Sequence, residues 1–269
     1  MRRSTVAACA ALALVACLPA GAADWTWNMA FTQWAGSNNA DRYYTSTPEH
    51  CEAKAAQIAA AGYTAVMLSG YHFRLGFLDR DDDVRAITRT IVEACHRHGL
   101  RVIEHVDLTI VYYDAYPLAW RHPDWLQLHA GDMMTRHRIF CFNHPEFRRF
   151  YIDWATGFQR DTGVDAWQMD EISWMGRGYC GCRWCRATWQ EQQGRPYPAV
   201  EGPGFFERAL ADPEYREWMH WRGDRLNDFR AEVRDALLAV NPDVRMFNYT
   251  TAAQSSPYVW TRGGDYASR

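Results

Sequence analysis

The chain has 269 residues, of which 48% are hydrophobic and 14% aromatic, with 29 basic and 32 acidic side chains. A net charge of −3 does not suggest nucleic-acid binding, which wants a basic face, and the hydrophobic share supplies a sizeable core. Thirteen Trp and fourteen Tyr can fill that core and also offer flat surfaces for the C–H faces of sugar rings.

The N-terminus reads Met1-Arg2-Arg3-Ser4-Thr5, then runs apolar from Val6 to Leu18, then Pro19-Ala20-Gly21-Ala22-Ala23. A basic start, a short apolar stretch and small residues before a polar segment make a secretory signal peptide. The apolar run is too short to stay in a bilayer as a spanning helix. Cleavage is expected after Ala22 or Ala23, giving an exported, periplasmic or secreted protein. Leu14-Val15-Ala16-Cys17 also reads as a lipoprotein signal, which would anchor the chain at Cys17 instead. Arg2-Arg3 alone is a weak twin-arginine signal. No second apolar run is long enough for a transmembrane segment. Removing residues 1–22 takes away two arginines and leaves 27 basic against 32 acidic groups, a charge of about −5. Residues 23–269 then suit one large domain or two small ones, and nothing in them decides between a monomer and a homo-oligomer.

Strands and helices alternate from there. Residues 25–34 read as a first strand. Ser46-Thr47-Pro48-Glu49 starts a helix with Cys51, Ala55 and Ile58 on one face, and Gly62 stops it. Tyr63 to Leu68 is a second, buried strand. Asp81 to His98 is a second helix, with Val84, Ile87, Ile91 and Cys95 inward, and Leu100 to Val106 is a third strand. Residues 107–142 read as a long irregular connection rich in Tyr, Trp and His, the kind that carries function. Asn143-His-Pro-Glu146 caps a third helix with Phe147, Phe150, Tyr151, Trp154 and Phe158 at helical spacing. Val164 to Met169 is a fourth strand, followed by a cysteine-bearing insertion. A long helix from about Pro213 to Val240 ends at Asn241-Pro242, and Val244 to Tyr249 is a fifth strand.

Near-continuous apolar strands alternating with helices mean an α/β fold with a parallel sheet and helices outside it. Five units in series favour a TIM-type (β/α) barrel over a doubly wound sheet. No glycine-rich phosphate loop follows the first strand, which weakens a nucleotide-binding reading. A closed barrel takes eight units, and Gly264-Asp265-Tyr266-Ala267-Ser268-Arg269 stands where a sixth strand is due. The expectation is an apparently truncated barrel, five to six units of a longer protein, over an open barrel or one completed by other chains.

In such a barrel the chemistry sits at the C-terminal ends of the strands. Those ends carry Trp34 on the first strand and His72 beyond the second. The third bears Glu104, His105 and Asp107, the fourth ends at Asp170 and Glu171, and the fifth at Asn248 and Tyr249. The fourth strand is the strongest signal, because a buried apolar run ends in two carboxylates. Glycosidic cleavage needs one carboxylic acid to protonate the leaving oxygen and one carboxylate as nucleophile or base. Adjacent strand residues point to opposite faces, so one of the two is better paired with a distant partner. The competing structural reading has Asp170 cap the next turn and Glu171 pair with an arginine such as Arg177. His72, Glu104, His105, Asp107, Asn248 and Tyr249 are candidates for binding sugar hydroxyls, against ordinary strand-end hydrogen bonding. Trp34, Trp174 and Tyr112 are candidates for stacking on sugar rings, against core or loop packing. His96 and His98 flank Arg97 near a helix C-terminus, where cationic groups favour the dipole, and read as structural.

Cys180-Gly-Cys182-Arg-Trp-Cys185 is the second signal. Three thiolates this close suit a tetrahedral ion with a fourth ligand from elsewhere, and Cys141 in the preceding long connection is the natural fourth. Export permits disulfides, so bridges or free thiols compete with structural zinc. A closed four-cysteine site leaves no position for substrate, so zinc here would brace the loop and take no part in chemistry.

The stretch Trp167-Gln-Met-Asp170-Glu171, with Cys180-Gly-Cys182-Arg-Trp-Cys185 and Trp189 after it, resembles the strand-4 region of family 42 glycoside hydrolases, the clan-A β-galactosidases. It resembles still more the uncharacterised glycosyl-hydrolase-like barrels related to them and to α-L-fucosidases. The family 42 resemblance implies Glu171 as acid/base and Cys141, Cys180, Cys182 and Cys185 as zinc ligands. Asp170 stands where family 42 has Asn. In fucosidase-like relatives an Asp there is the nucleophile, which would give Asp170 that role. The family 42 nucleophile is a Glu on strand 7, which this sequence does not contain.

Three functions follow from these residues: a retaining glycosidase, a barrel that binds carbohydrate without turnover or is an inactive part of a larger glycosidase, and a metal-dependent hydrolase. The last wants a His-x-His on the first strand, where this chain has Trp25-Thr-Trp27-Asn28.

Overall fold

The structure, a computed structural model, describes residues 29–32, 46–68, 78–107, 109, 116–128, 136–170, 174, 180–198 and 211–248. The expected export segment, including Cys17, lies outside them. So do Trp34, His72, Tyr112, Glu171 and Tyr249.

Helix α1 (Pro48–Ala60) begins where the sequence predicts. The Thr47 hydroxyl accepts from His50 N at 3.2 Å, and Pro48 occupies the first turn, where no donor is needed. Cys51, Ala55 and Ile58 form its buried stripe. Gly62 then takes φ +84°, a left-handed conformation that lets the chain reverse into the next strand.

Five strands form one sheet: β1 (Met29–Thr32), β2 (Ala65–Leu68), β3 (Arg101–Asp107), β6 (Ala166–Asp170) and β7 (Arg245–Asn248). They lie side by side in that order, every neighbouring pair parallel. Parallel pairing requires a crossover between consecutive strands. Helices α1, α2 (Asp81–Arg97), α4 (Pro145–Thr162) and α6 (Pro213–Val240) supply it. Parallel neighbours in chain order, joined by helices, are the wall of a (β/α) barrel.

The connection after β3 is more ordered than the sequence suggests. It holds a short helix α3 (Tyr116–Arg121), a 3-10 turn (Pro123–Trp125), and an antiparallel pair, β4 (Leu126–Leu128) with β5 (Arg136–Phe140). The Asn143 cap is also corrected. The N-cap of α4 is His144, without a side-chain cap bond, while the Asn143 amide donates to Cys185 Sγ at 3.4 Å. Asn143 is drawn into the cysteine cluster because the turn that starts α4 also carries Cys141.

Strand alternation divides the sheet into two environments. Val66, Leu68, Val102, Val106, Trp167 and Met169 join the main core beneath the helices. Ala65, Met67, Ile103 and Ala166, with Phe247 packed on them, form a separate apolar cluster on the other face, the side that becomes the interior of a barrel. The helix layer is largely aromatic. Phe229 of α6 packs against Phe147 and Tyr151 of α4 at 6.2 and 5.8 Å between ring centroids. Arg148 pins the same interface, its Nε donating to Glu232 Oε2 at 3.0 Å and its Nη1 to the Phe142 carbonyl at 2.7 Å.

The N-terminal end of the sheet is fastened by Asp165, just ahead of β6. Its carboxylate accepts from Val102 N and Arg101 Nη1 at 2.8 and 2.9 Å and lies 2.8 Å from His96 Nε2. Burial opposes its charge, but the bonds to His96, Val102 and Arg101 prevail and hold it below the usual aspartate range. His96 therefore is structural, as its sequence position suggests. His98 and Arg97 both bind Glu52 of α1, at 2.7 Å each.

Candidate active site and thiol cluster

Strand β6 delivers Asp170 to the C-terminal edge of the sheet. Residues of one parity share a face, so Ala166, Gln168 and Asp170 lie on the side away from the helices while Trp167 and Met169 fill the core. On β3 the same parity brings Ile103 and His105 to that face. His105 Nε2 stands 3.5 Å from Asp170 Oδ2 across the two strands, an ion-pair distance. His105 is 5% exposed and Asp170 16%, so the pair sits at the rim of the interior. Asp107 pairs in register with Asp170, and Asn248 with Met169, which puts both at the same end of the sheet.

Two expected sugar-binding residues are placed elsewhere. Glu104 is fully buried and has the parity of Val102 and Val106, beneath the helices, one strand position out of phase with the rim. Trp174 is fully buried too, so its ring faces are unavailable for stacking on a sugar. Its Nε1 donates to the Arg222 carbonyl at 2.9 Å, and Phe142 packs edge-on at 4.4 Å. Trp174 is thus a core residue of the segment beyond β6. The sequence reading missed Arg222. It is fully buried in α6, its guanidinium 5.2 Å from the Trp174 ring and 4.8 Å from the Trp218 ring. An arginine in a helix ordinarily reads as surface charge, and only its two flanking tryptophans, Trp218 and Trp221, hint otherwise.

Behind this rim the four predicted thiols meet. Cys141 follows β5, Cys180 and Cys182 lie in the connection after β6, and Cys185 sits in the first turn of α5 (Arg183–Gln193). Cys141 Sγ is 3.7 Å from Cys180 Sγ, 3.7 Å from Cys182 Sγ and 3.6 Å from Cys185 Sγ. All four are buried and unbridged. A disulfide would bring two sulfurs to about 2.05 Å. Four sulfurs about 2.3 Å from one ion stand roughly 3.8 Å apart at the corners of a tetrahedron, which these separations fit. The cluster can therefore hold a metal ion. Burial raises the Cys141 and Cys185 thiols, while hydrogen bonds from Cys141, Cys180 and Cys185 lower Cys182. Backbone bonds bind the two connections around it: Cys141 N to the Trp125 carbonyl and Gly181 N to the Leu128 carbonyl, both 2.7 Å.

No family profile matches the chain. Solved structures share its fold. A catalytic mutant of Gan42B, a GH42 β-galactosidase from G. stearothermophilus, superposes with a TM-score of 0.58 at 14% identity over 86% of this chain and 36% of that one. The α-L-fucosidase isoenzyme 2 from Paenibacillus thiaminolyticus gives 0.53 at 16% identity over 88% and 34%. In sequence, the chain is 27% identical over 103 residues to a cyclomaltodextrinase of Geobacillus thermopakistaniensis (strain MAS1), covering 30% of this chain and 18% of the relative. The fold is that of a (β/α) barrel, and the chain spans about a third of the length of those two structures. Among the described residues no helix is long and apolar enough to cross a membrane.

Proposed function

We propose that this chain contributes to a glycosidase that acts on carbohydrate outside the cytoplasm, with Asp170 and Glu171 as its reacting carboxylates. The observation that carries this reading is the His105–Asp170 pair at the C-terminal rim of the sheet. There the fold places reacting groups, and a carboxylate aimed at the interior can reach a bound sugar. Asp170 takes the role of nucleophile, since its face is that of the barrel interior. Glu171, the next residue, follows the strand's end, where alternation no longer fixes a face, and serves as the proton donor. His105 is a positioning residue that holds Asp170 through its imidazole, and Asp107 binds sugar hydroxyls beside it. The four-cysteine cluster holds zinc, which braces the two connections beyond β3 and β6. A closed thiolate shell offers substrate no position, so the ion does not enter the reaction. Export by the N-terminal signal fits an extracellular glycan substrate.

The test compares Asp170→Asn and Glu171→Gln on aryl glycosides with good and poor leaving groups. A phenolate of low pKa leaves without protonation, so loss of the proton donor spares such substrates while loss of the nucleophile does not. Glu171→Gln is expected to retain activity on the activated glycoside alone, and Asp170→Asn to lose both by about 10³-fold or more. Unchanged turnover in both variants would refute the assignment. Sugar binding without turnover in the unaltered chain would make it a carbohydrate-binding barrel.

A further inference from the structure

The turn that starts α4 faces two ways. Cys141 points into the thiol cluster, and three residues on, His144 is 1% exposed, and among the described residues its Nδ1 has no hydrogen-bond partner. A buried imidazole normally satisfies its nitrogens, so this one stands out. Its ring is fixed by Trp184, edge-on at 5.3 Å, and by Trp125, tilted at 6.2 Å. That packing leaves Nε2 3.4 Å from Oδ2 of Asp124, in the 3-10 turn before β4. Glu146, in the first turn of α4, completes the group. One ligand atom from each of the three lies within 4.8 Å of the others. Among the described residues Glu146 accepts one long hydrogen bond, from Trp125 Nε1 at 3.4 Å, and its carboxylate has further lone pairs to offer.

We propose that Asp124, His144 and Glu146 form a second metal site, one that takes a divalent cation such as zinc. Ligand atoms about 2.0–2.1 Å from a tetrahedral ion stand roughly 3.4 Å apart, the His144–Asp124 separation. One imidazole and two carboxylates suit zinc, whereas magnesium and calcium prefer oxygen alone. The N-terminal dipole of α4 opposes a cation there, and two carboxylate charges outweigh it. Unlike the thiol cluster, this site has two solvent-exposed ligands and three protein donors, so a water can complete its shell. A bound ion would clip the turn at Pro123–Trp125 to the start of α4.

The test is a zinc count on the full chain, stripped with chelator, reloaded with zinc alone and desalted. The variant Asp124→Asn/Glu146→Gln changes only exposed side chains and preserves the fold, which circular dichroism checks. It is expected to bind one equivalent fewer than the unaltered protein. Cys182→Ser, if it folds, should keep the equivalent that the carboxylate variant loses, so failure of the thiol site and of this site are distinguishable. Equal zinc content in the unaltered protein and the carboxylate variant would overturn the proposal.

Discussion

Cys141 Sγ and Cys185 Sγ stand 3.6 Å apart although 44 residues separate them in the chain, one following the hairpin beyond β3 and the other opening the helix beyond β6. Both connections leave the C-terminal end of the sheet, where His105 and Asp170 also meet. The thiol cluster therefore ties together the two connections at that end of the sheet.

Replacing one thiol should expose this coupling. With zinc in the cluster as proposed, Cys182→Ser is expected to lose the ion and about 3 kcal/mol of stability, lowering Tm by roughly 6–12 °C in a domain this size. Thermal denaturation with and without chelator measures it. A metal-free protein of unchanged Tm would show that the thiols pack as a plain buried cluster.

His105→Ala removes the imidazole beside Asp170 and leaves the carboxylate in place. With Asp170 as the proposed nucleophile, a drop of about 10–100-fold in kcat with little change in KM is expected, because the effect falls on that carboxylate and spares sugar binding. A change in KM alone would make His105 a sugar ligand.

Trp174 separates packing from sugar stacking. Trp174→Ala leaves a void under the segment after β6 and should cost about 3–5 kcal/mol, while Trp174→Phe should cost less. Isothermal titration of Trp174→Phe with an oligosaccharide is expected to give unaltered affinity. A selective loss of affinity at normal Tm would restore the stacking role.

Asp165 makes stability depend on acid. Its folded pKa lies below the unfolded value, so its contribution is fully present above about pH 4 and is lost as pH falls through the folded pKa. Asp165→Asn should therefore destabilise the protein at neutral pH by about 2–3 kcal/mol. The variant and the unaltered protein should converge as pH falls through the folded pKa. Urea denaturation across pH measures both, and a constant difference at all pH values would remove the carboxylate charge from the account.

Much of this was legible in one dimension. Helix α1 is specified locally: Thr47 caps it, Pro48 fits its first turn, and Cys51, Ala55 and Ile58 recur at helical spacing. The apolar run ending at Asp170 marks β6 and its exposed end for the same reason, since burial and its interruption are both written into consecutive residues. The spacing of Cys180, Cys182 and Cys185 marks three members of the cluster, the place of Cys141 in the preceding connection points to it as the fourth, and the fold brings all four sulfurs together.

What the sequence could not decide was phase and neighbourhood. Glu104 and His105 are adjacent polar residues on one strand, and nothing local says which one faces the barrel interior. The pairing of β3 with β6 decides it, because alternation sends His105 to Asp170 and Glu104 under the helices. Trp174 and Arg222 lie 48 residues apart, and each alone reads as a surface or cleft residue. Packing of α6 over the segment beyond β6 buries them together. Local sequence determines which element a residue joins, because capping, turns and periodicity act over a few residues. Which side chains meet depends on how whole elements are laid against each other, and that is decided only when the sheet and its helices close on one core.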